Sequence, residues 1–185
     1  MVVLAMAIPG AFATIIASDN AADPVYSSSW SAGQDGGFGF DAWQQTVIAG
    51  NGYFYRNSRV VNPQTTDPGI DTSGLSWGIS ADNSPGQSDV FASRGFTEGS
   101  LKIGQTFQIS LQNGYVDGGA VGIDLRNGVS TSDYNTGERL SLSFYSGGWH
   151  IYDGHTNPDL LGYDTGGFTV DFTLTGADTY SVTMS

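Results

Sequence analysis

The chain contains no cysteine, so it has neither a disulfide framework nor a thiolate nucleophile. An exported domain without disulfides must stand on its hydrophobic core alone. Glutamate is nearly missing as well. Of eighteen acidic residues, only Glu98 and Glu138 are glutamates and the rest are aspartates. Glutamate suits helix faces, whereas aspartate suits turns, where its carboxylate bonds the following backbone amides. Its scarcity therefore argues against a helical fold. Basic residues number six, for a net charge of −12 and a pI near 4.1. A surface of that sign repels phosphates, which excludes nucleic acid as a partner. There are two histidines, His150 and His155, and no Gly-x-Ser-x-Gly elbow to frame a Ser-His-Asp triad. No apolar run reaches the ~20 residues of a membrane span.

What is present begins with a short apolar leader. Val2 to Ile8 is followed by Pro9-Gly10 and then by Ala11-Phe12-Ala13, a small-x-small pattern of the kind cut when an export signal is removed. A second cut is possible after Ala17, just before Ser18-Asp19-Asn20. No Lys or Arg precedes Arg56, so the positive start of such a leader is missing and the natural start is expected upstream. Thr14-Ile15-Ile16 is also β-prone and could be a first strand. The reading taken is a leader over residues 1–17 and a single β-sandwich domain over 18–185, secreted or on the cell surface of a bacterium, with no membrane span in the mature chain. The sequence stops at Ser185 within a strand pattern, and a continuation is expected.

Glycine is abundant, at 27 of 185 residues, about twice the usual ~7%. The glycines punctuate runs that alternate or carry β-branched and aromatic side chains. The expected strands are Phe40 to Ile48, Gly52 to Val61, Leu75 to Ser80, Asp89 to Phe96, Thr106 to Gln112, Ala120 to Leu125, Arg139 to Tyr145, Trp149 to Tyr152, Phe168 to Leu174 and Thr179 to Met184. Turn signals separate them, among them Asn51-Gly52, Asp117-Gly118-Gly119, Gly147-Gly148 and Gly176-Ala177-Asp178. Leu140-Ser141-Leu142-Ser143-Phe144 alternates cleanly, and Phe168 to Leu174 repeats the pattern. The expectation is an all-β, antiparallel two-sheet β-sandwich of jelly-roll type.

The segment Arg139 to Gly154, with Gly147-Gly148-Trp149-His150-Ile151-Tyr152, resembles the central hairpin of concanavalin A-like (lectin/glucanase, laminin G-like) sandwiches. Val170 to Met184 resembles their closing strand pair. The front, Ala17 to Asp23 with Trp30 and Gly33 to Trp43, is similar to exported bacterial proteins that often carry a C-terminal PEP-CTERM sorting tail. These likenesses imply a concanavalin A-like fold and export. They imply no common activity.

The candidate sites follow from residue chemistry. Glycosidases of related sandwich folds pair two carboxylates, but no two acids stand at i and i+2 in this chain, and Glu98 and Glu138 read as solvated turn acids. Asp153, Asn157 and Asp159 place oxygen ligands along one loop, an arrangement calcium can use, although Asp and Asn are also ordinary turn residues. Asp67 and Asp71 form a weaker pair. Sugar binding calls for aromatic platforms beside polar groups. Tyr134, Tyr53, Tyr55 and Trp30 are the ligand-binding candidates, while Trp43 and Trp149 are assigned to the core because a Trp buries so much apolar area. His150 reads as the outward neighbour of Trp149, or the reverse. Arg56 and Arg94 read as partners of nearby Asp. The leading expectation is a noncatalytic module that binds extracellular polysaccharide or glycan. The alternatives are a structural surface protein and a glycan-active hydrolase or lyase.

Overall fold

The computed structural model describes residues 15–57, 70, 75–82, 86, 88–114, 116–128, 137–145, 147–154, 159–162 and 166–185, with 57 and 159–162 as backbone only. Among them are eleven strands and one short 3-10 turn, Pro24–Tyr26. The strand pairings are all antiparallel, and none of the described helices is long and apolar enough to cross a membrane.

The C-terminal half is a two-sheet sandwich. One sheet has the order β6-β7-β8-β9, formed by Val121–Arg126, Glu138–Tyr145, Gly148–Tyr152 and Asp159–Gly162. The other has the order β11-β10-β5, formed by Tyr180–Met184, Phe168–Leu174 and Thr106–Leu111. The alternation seen in the sequence becomes burial: Leu140, Leu142 and Phe144 of β7 point inward, as do Phe168, Val170 and Phe172 of β10. Trp149 of β8 stands edge-on to Phe168 of the facing sheet, with centroids 4.9 Å apart, and to Phe144 at 5.7 Å. Each such side chain contributes about 1.5–3 kcal/mol by leaving water. Ser185 exchanges both backbone hydrogen bonds with Thr169, so it extends the pairing of β11.

The N-terminal half is built on a long ribbon. β1 (Gln44–Ala49) pairs with β4 (Asp89–Ser93), and β2 (Asn51–Asn57) pairs with β3 (Ser76–Asp82). Residues 44–49 thus run antiparallel to 89–93, and 51–57 to 76–82, as consecutive parts of one ribbon. The Asn51-Gly52 signal is not a hairpin turn here. The bend falls at Gly50, whose φ of 69° is a left-handed value that favours glycine. Gly52 lies inside β2, where a Cβ would come within 2.6 Å of Val47 Cγ2 and Val90 Cγ2. The ribbon meets the sandwich where Phe40 bridges Phe96 and the Phe96 ring stands edge-on to Phe107 of β5 at 6.1 Å.

Ten of the strands coincide with expected runs. β9 was not expected: Asp159-Leu160-Leu161-Gly162 is too short to show alternation, and it follows Asn157-Pro158, a turn pair.

Candidate functional site

The expected site residues do not all gather. Tyr134 and Asn157 lie outside the described residues. Tyr53 is 54% exposed on β2, opposite Ser80. Tyr55 is half-buried and pairs with Gly78, where a side chain would run into the Tyr55 ring. Burial raises the Tyr55 hydroxyl above its usual range, against the hydrogen bond of Ser80. Trp30 is a correction: it is 5% exposed and belongs to the core. Its ring contacts Trp43 at 5.0 Å, and Phe54 and Trp77 at 5.9 Å each. The segment around it is rich in turns, so no periodicity marked it as buried. Trp149, assigned to the core, is 1% exposed.

Of the calcium candidates, Asp153 accepts a hydrogen bond from the Tyr180 hydroxyl at 2.7 Å. Burial, followed by that bond and the nearby carboxylate charge, pushes Tyr180 up to about 12. Asp159 opens β9, and its side chain lies outside the described residues, as do Asp67 and Asp71. Among the described residues no group of three or more His, Asp or Glu is placed to hold a metal.

The densest polar constellation among the described residues surrounds Arg94, the residue that follows β4. Arg94 pairs with Asp19, and their side chains are only 6% and 4% exposed. It also reaches Asp35 at 3.1 Å and donates from Nε to the Asp41 carbonyl at 2.8 Å. Its guanidinium lies over the rings of Phe40 and Trp43, at 4.8 and 5.0 Å from their centroids, where a flat cation is favoured. Tyr26 donates to Asp19 and accepts from Trp43 Nε1 and the Gly36 amide, both at 3.1 Å. Burial first, and then the bond to Asp19, raise the Tyr26 hydroxyl. This is a closed, satisfied network whose effect is to hold the N-terminal segment on the fold. Arg94 thus pairs with aspartate as expected, while Arg56 Nε bonds the Ala21 carbonyl at 2.6 Å.

The accessible chemistry lies on the outer face of the four-stranded sheet. Because strand side chains alternate, the residues between the inward-facing ones of β6, β7 and β8 share that face. Register places Asp124, Ser141 and Tyr152 in one cross-strand row, and Gly122, Ser143 and His150 in the next. Tyr152 is 48% exposed. His150 stacks on Tyr145 at 3.9 Å between centroids, and its Nε2 lies 3.3 Å from the Tyr145 carbonyl; it is indeed the outward neighbour of a buried Trp149. Arg126 lies 3.5 Å from Asp124 and opposite Glu138, where a register shift interrupts the ladder. Burial raises the Asp124 carboxyl, against the Ser141 hydrogen bond and the Arg126 charge. Glu138 is raised by burial and by the charge of Asp124, against Arg126. It is half-buried at the head of β7 rather than in a solvated turn. The missed signal is the register shift beside it, which no alternation pattern reveals.

No family model matches the chain, and neither a curated protein nor a solved structure shows significant similarity to it.

Proposed function

We propose that this protein is an exported, noncatalytic β-sandwich module of the concanavalin A-like, jelly-roll kind that binds an extracellular polysaccharide. The reading also takes in the bacterial cell surface and the likeness to PEP-CTERM-bearing proteins. The observation that carries it is the row Asp124–Ser141–Tyr152 across three neighbouring strands. With strands ~4.8 Å apart, the row covers the scale of one or two sugar rings. The Tyr152 ring offers a face to pyranose C–H groups, and Ser141, whose hydroxyl donates to the half-buried Asp124, offers its oxygen as an acceptor to a sugar hydroxyl. The net charge of −12 disfavours anionic glycans and leaves neutral ones. Calcium held by Asp153, Asn157 and Asp159 would be the cofactor of this reading.

The test is binding of the chain to a panel of neutral and acidic polysaccharides, with calcium and with chelator, followed by Tyr152→Ala. Saturable binding to a neutral glycan that weakens about tenfold or more in the variant, about 1.4 kcal/mol, supports the reading. Binding that Tyr152→Ala leaves unchanged overturns the site, and no binding to any glycan favours a structural surface role. One observation favours a glycan-active enzyme as a second reading: Asp124 faces Ser141 and Arg126 faces Glu138 across β6 and β7, so two carboxyls stand near one another, close enough for the charge of Asp124 to raise Glu138, and a pair of carboxyls is what glycoside cleavage uses. Release of reducing ends that Glu138→Gln abolishes, with binding retained, would select it.

A further inference from the structure

We infer that the leader is removed after Ala13, so that the mature chain begins at Thr14 and keeps Ile15 to Ala17 as part of the folded domain. This rests on the export reading. The two candidate cuts are separated by what the structure does with residues 15–19. Ser18 pairs with Phe38 through both backbone hydrogen bonds, each 2.9 Å. Residues 16 and 17 lie against Gly39, where a Cβ would run into the Ile16 carbonyl and come within 2.6 Å of Ala17 Cα. Gly37 is covered in the same way by Ser18 and Asp19. The strip Gly37-Phe38-Gly39 is thus bare on the side where residues 16–19 lie. Ile16 also lines a small cleft with Phe96 and Leu101, next to the junction of ribbon and sandwich, and is half-buried there.

A cut after Ala17 would strip away the contacts of Ile16 and Ala17 with Gly39 and with the cleft, leaving only the Ser18–Phe38 pairing and the cover of Gly37. The sequence around the cuts agrees. Ala11 and Ala13 are both small, as the A-x-A pattern requires, whereas the Ala17 cut has the bulky Ile15 three positions before the break. The apolar stretch Val2 to Ile8 also ends close to Ala13 and well short of Ala17.

Two experiments decide this. The full chain, preceded by a short Lys-bearing start that supplies the missing positive charge, is produced in a Gram-negative host, and the N-terminal residue of the exported protein is read by sequential degradation. Thr14 is the expected result. Ser18 overturns the inference while leaving export intact, and an uncut chain in the cytosol counts against the export reading itself. Independently of export, chains starting at Thr14 and at Ser18 are made without a leader and their thermal unfolding is compared. The Thr14 chain is expected to melt about 3–6 °C higher, and Ile16→Ser in that chain should remove much of the advantage. Equal melting temperatures for the two chains would overturn the inference.

Discussion

The two halves of this molecule solve burial differently. The sandwich of residues 106–185 fills its interior with alternating Leu, Val, Phe and Trp from facing sheets. The ribbon half places a charged Arg94 in its interior and surrounds it with Asp19, Tyr26, Phe40 and Trp43. The first arrangement tolerates any side chain of the right size and polarity. The second depends on particular donors meeting particular acceptors, because a buried charge left without its partner is costly. An apolar core holds sheets together, and a satisfied ion pair here holds loops whose backbone has no regular pairing.

That contrast is sharpest when one group is removed from each half. Trp149→Ala should cost about 3–5 kcal/mol as a cavity opens between the sheets, measured by denaturant unfolding. Arg94→Ala should cost a similar amount, about 3–5 kcal/mol, because Asp19 is left buried and unpaired. The halves should then part company. Adding Asp19→Leu to an Arg94→Met chain should recover much of the loss, whereas no second substitution that merely removes a polar group should rescue Trp149→Ala. If the double variant is no better than Arg94→Met alone, the ion pair is not the reason for the loss.

A smaller effect is expected at the seam between β8 and β11. Tyr180→Phe removes the hydrogen bond to Asp153 and should cost about 1 kcal/mol at neutral pH. Tyr180 holds its proton up to about 12 in the folded chain, against an ordinary 10.0. The stability it contributes is therefore fully present below pH 10 and is lost as the pH rises towards 12. The difference between the parent and Tyr180→Phe should shrink over that window, and a constant difference would refute the assignment.

The smallest effect is expected at Asp124 and has the opposite sense. Its carboxyl and that of Glu138 bind protons more tightly when folded, from ordinary values of 3.8 and 4.5. Their contribution is most favourable below those values and is lost as the pH rises through the raised folded ones. Asp124→Asn should therefore be neutral or slightly stabilising at pH 7, and its advantage should vanish on acidification. A clear loss of stability at pH 7 would mean that the Arg126 contact outweighs burial.

The same contrast governs what could be read from the sequence. Strands such as Leu140 to Phe144 and Phe168 to Leu174 announce themselves because their period of two is the period of the sheet. The ribbon was legible as strands but not as a pairing: Gly50 and Asn51-Gly52 look alike as turn signals, and only the packing of Val47 and Val90 against Gly52 makes one the bend and the other a strand interior. The Arg94 pairing could be anticipated in kind, but its partner Asp19 lies 75 positions away, and no local pattern encodes that choice. Trp30 failed as a surface ring because irregular segments carry no periodicity from which burial could be inferred. The proposed glycan face was missed for a related reason, since it exists only when β6, β7 and β8 lie side by side.

The placement of β10 bears on how the chain reaches its folded state. It lies between β11 and β5, and Gln108 of β5 finds its partner Asp171 only 63 residues later. A chain that enters solvent from its N-terminus therefore presents β5 as an unpaired strand while the intervening segment follows. The second sheet closes only when β10 and β11 have followed, and pairing at such long range is slow. During that interval the bare edge of β5 is open to association with other chains, so the time that separates the delivery of β5 from that of β10 sets how long the molecule is vulnerable.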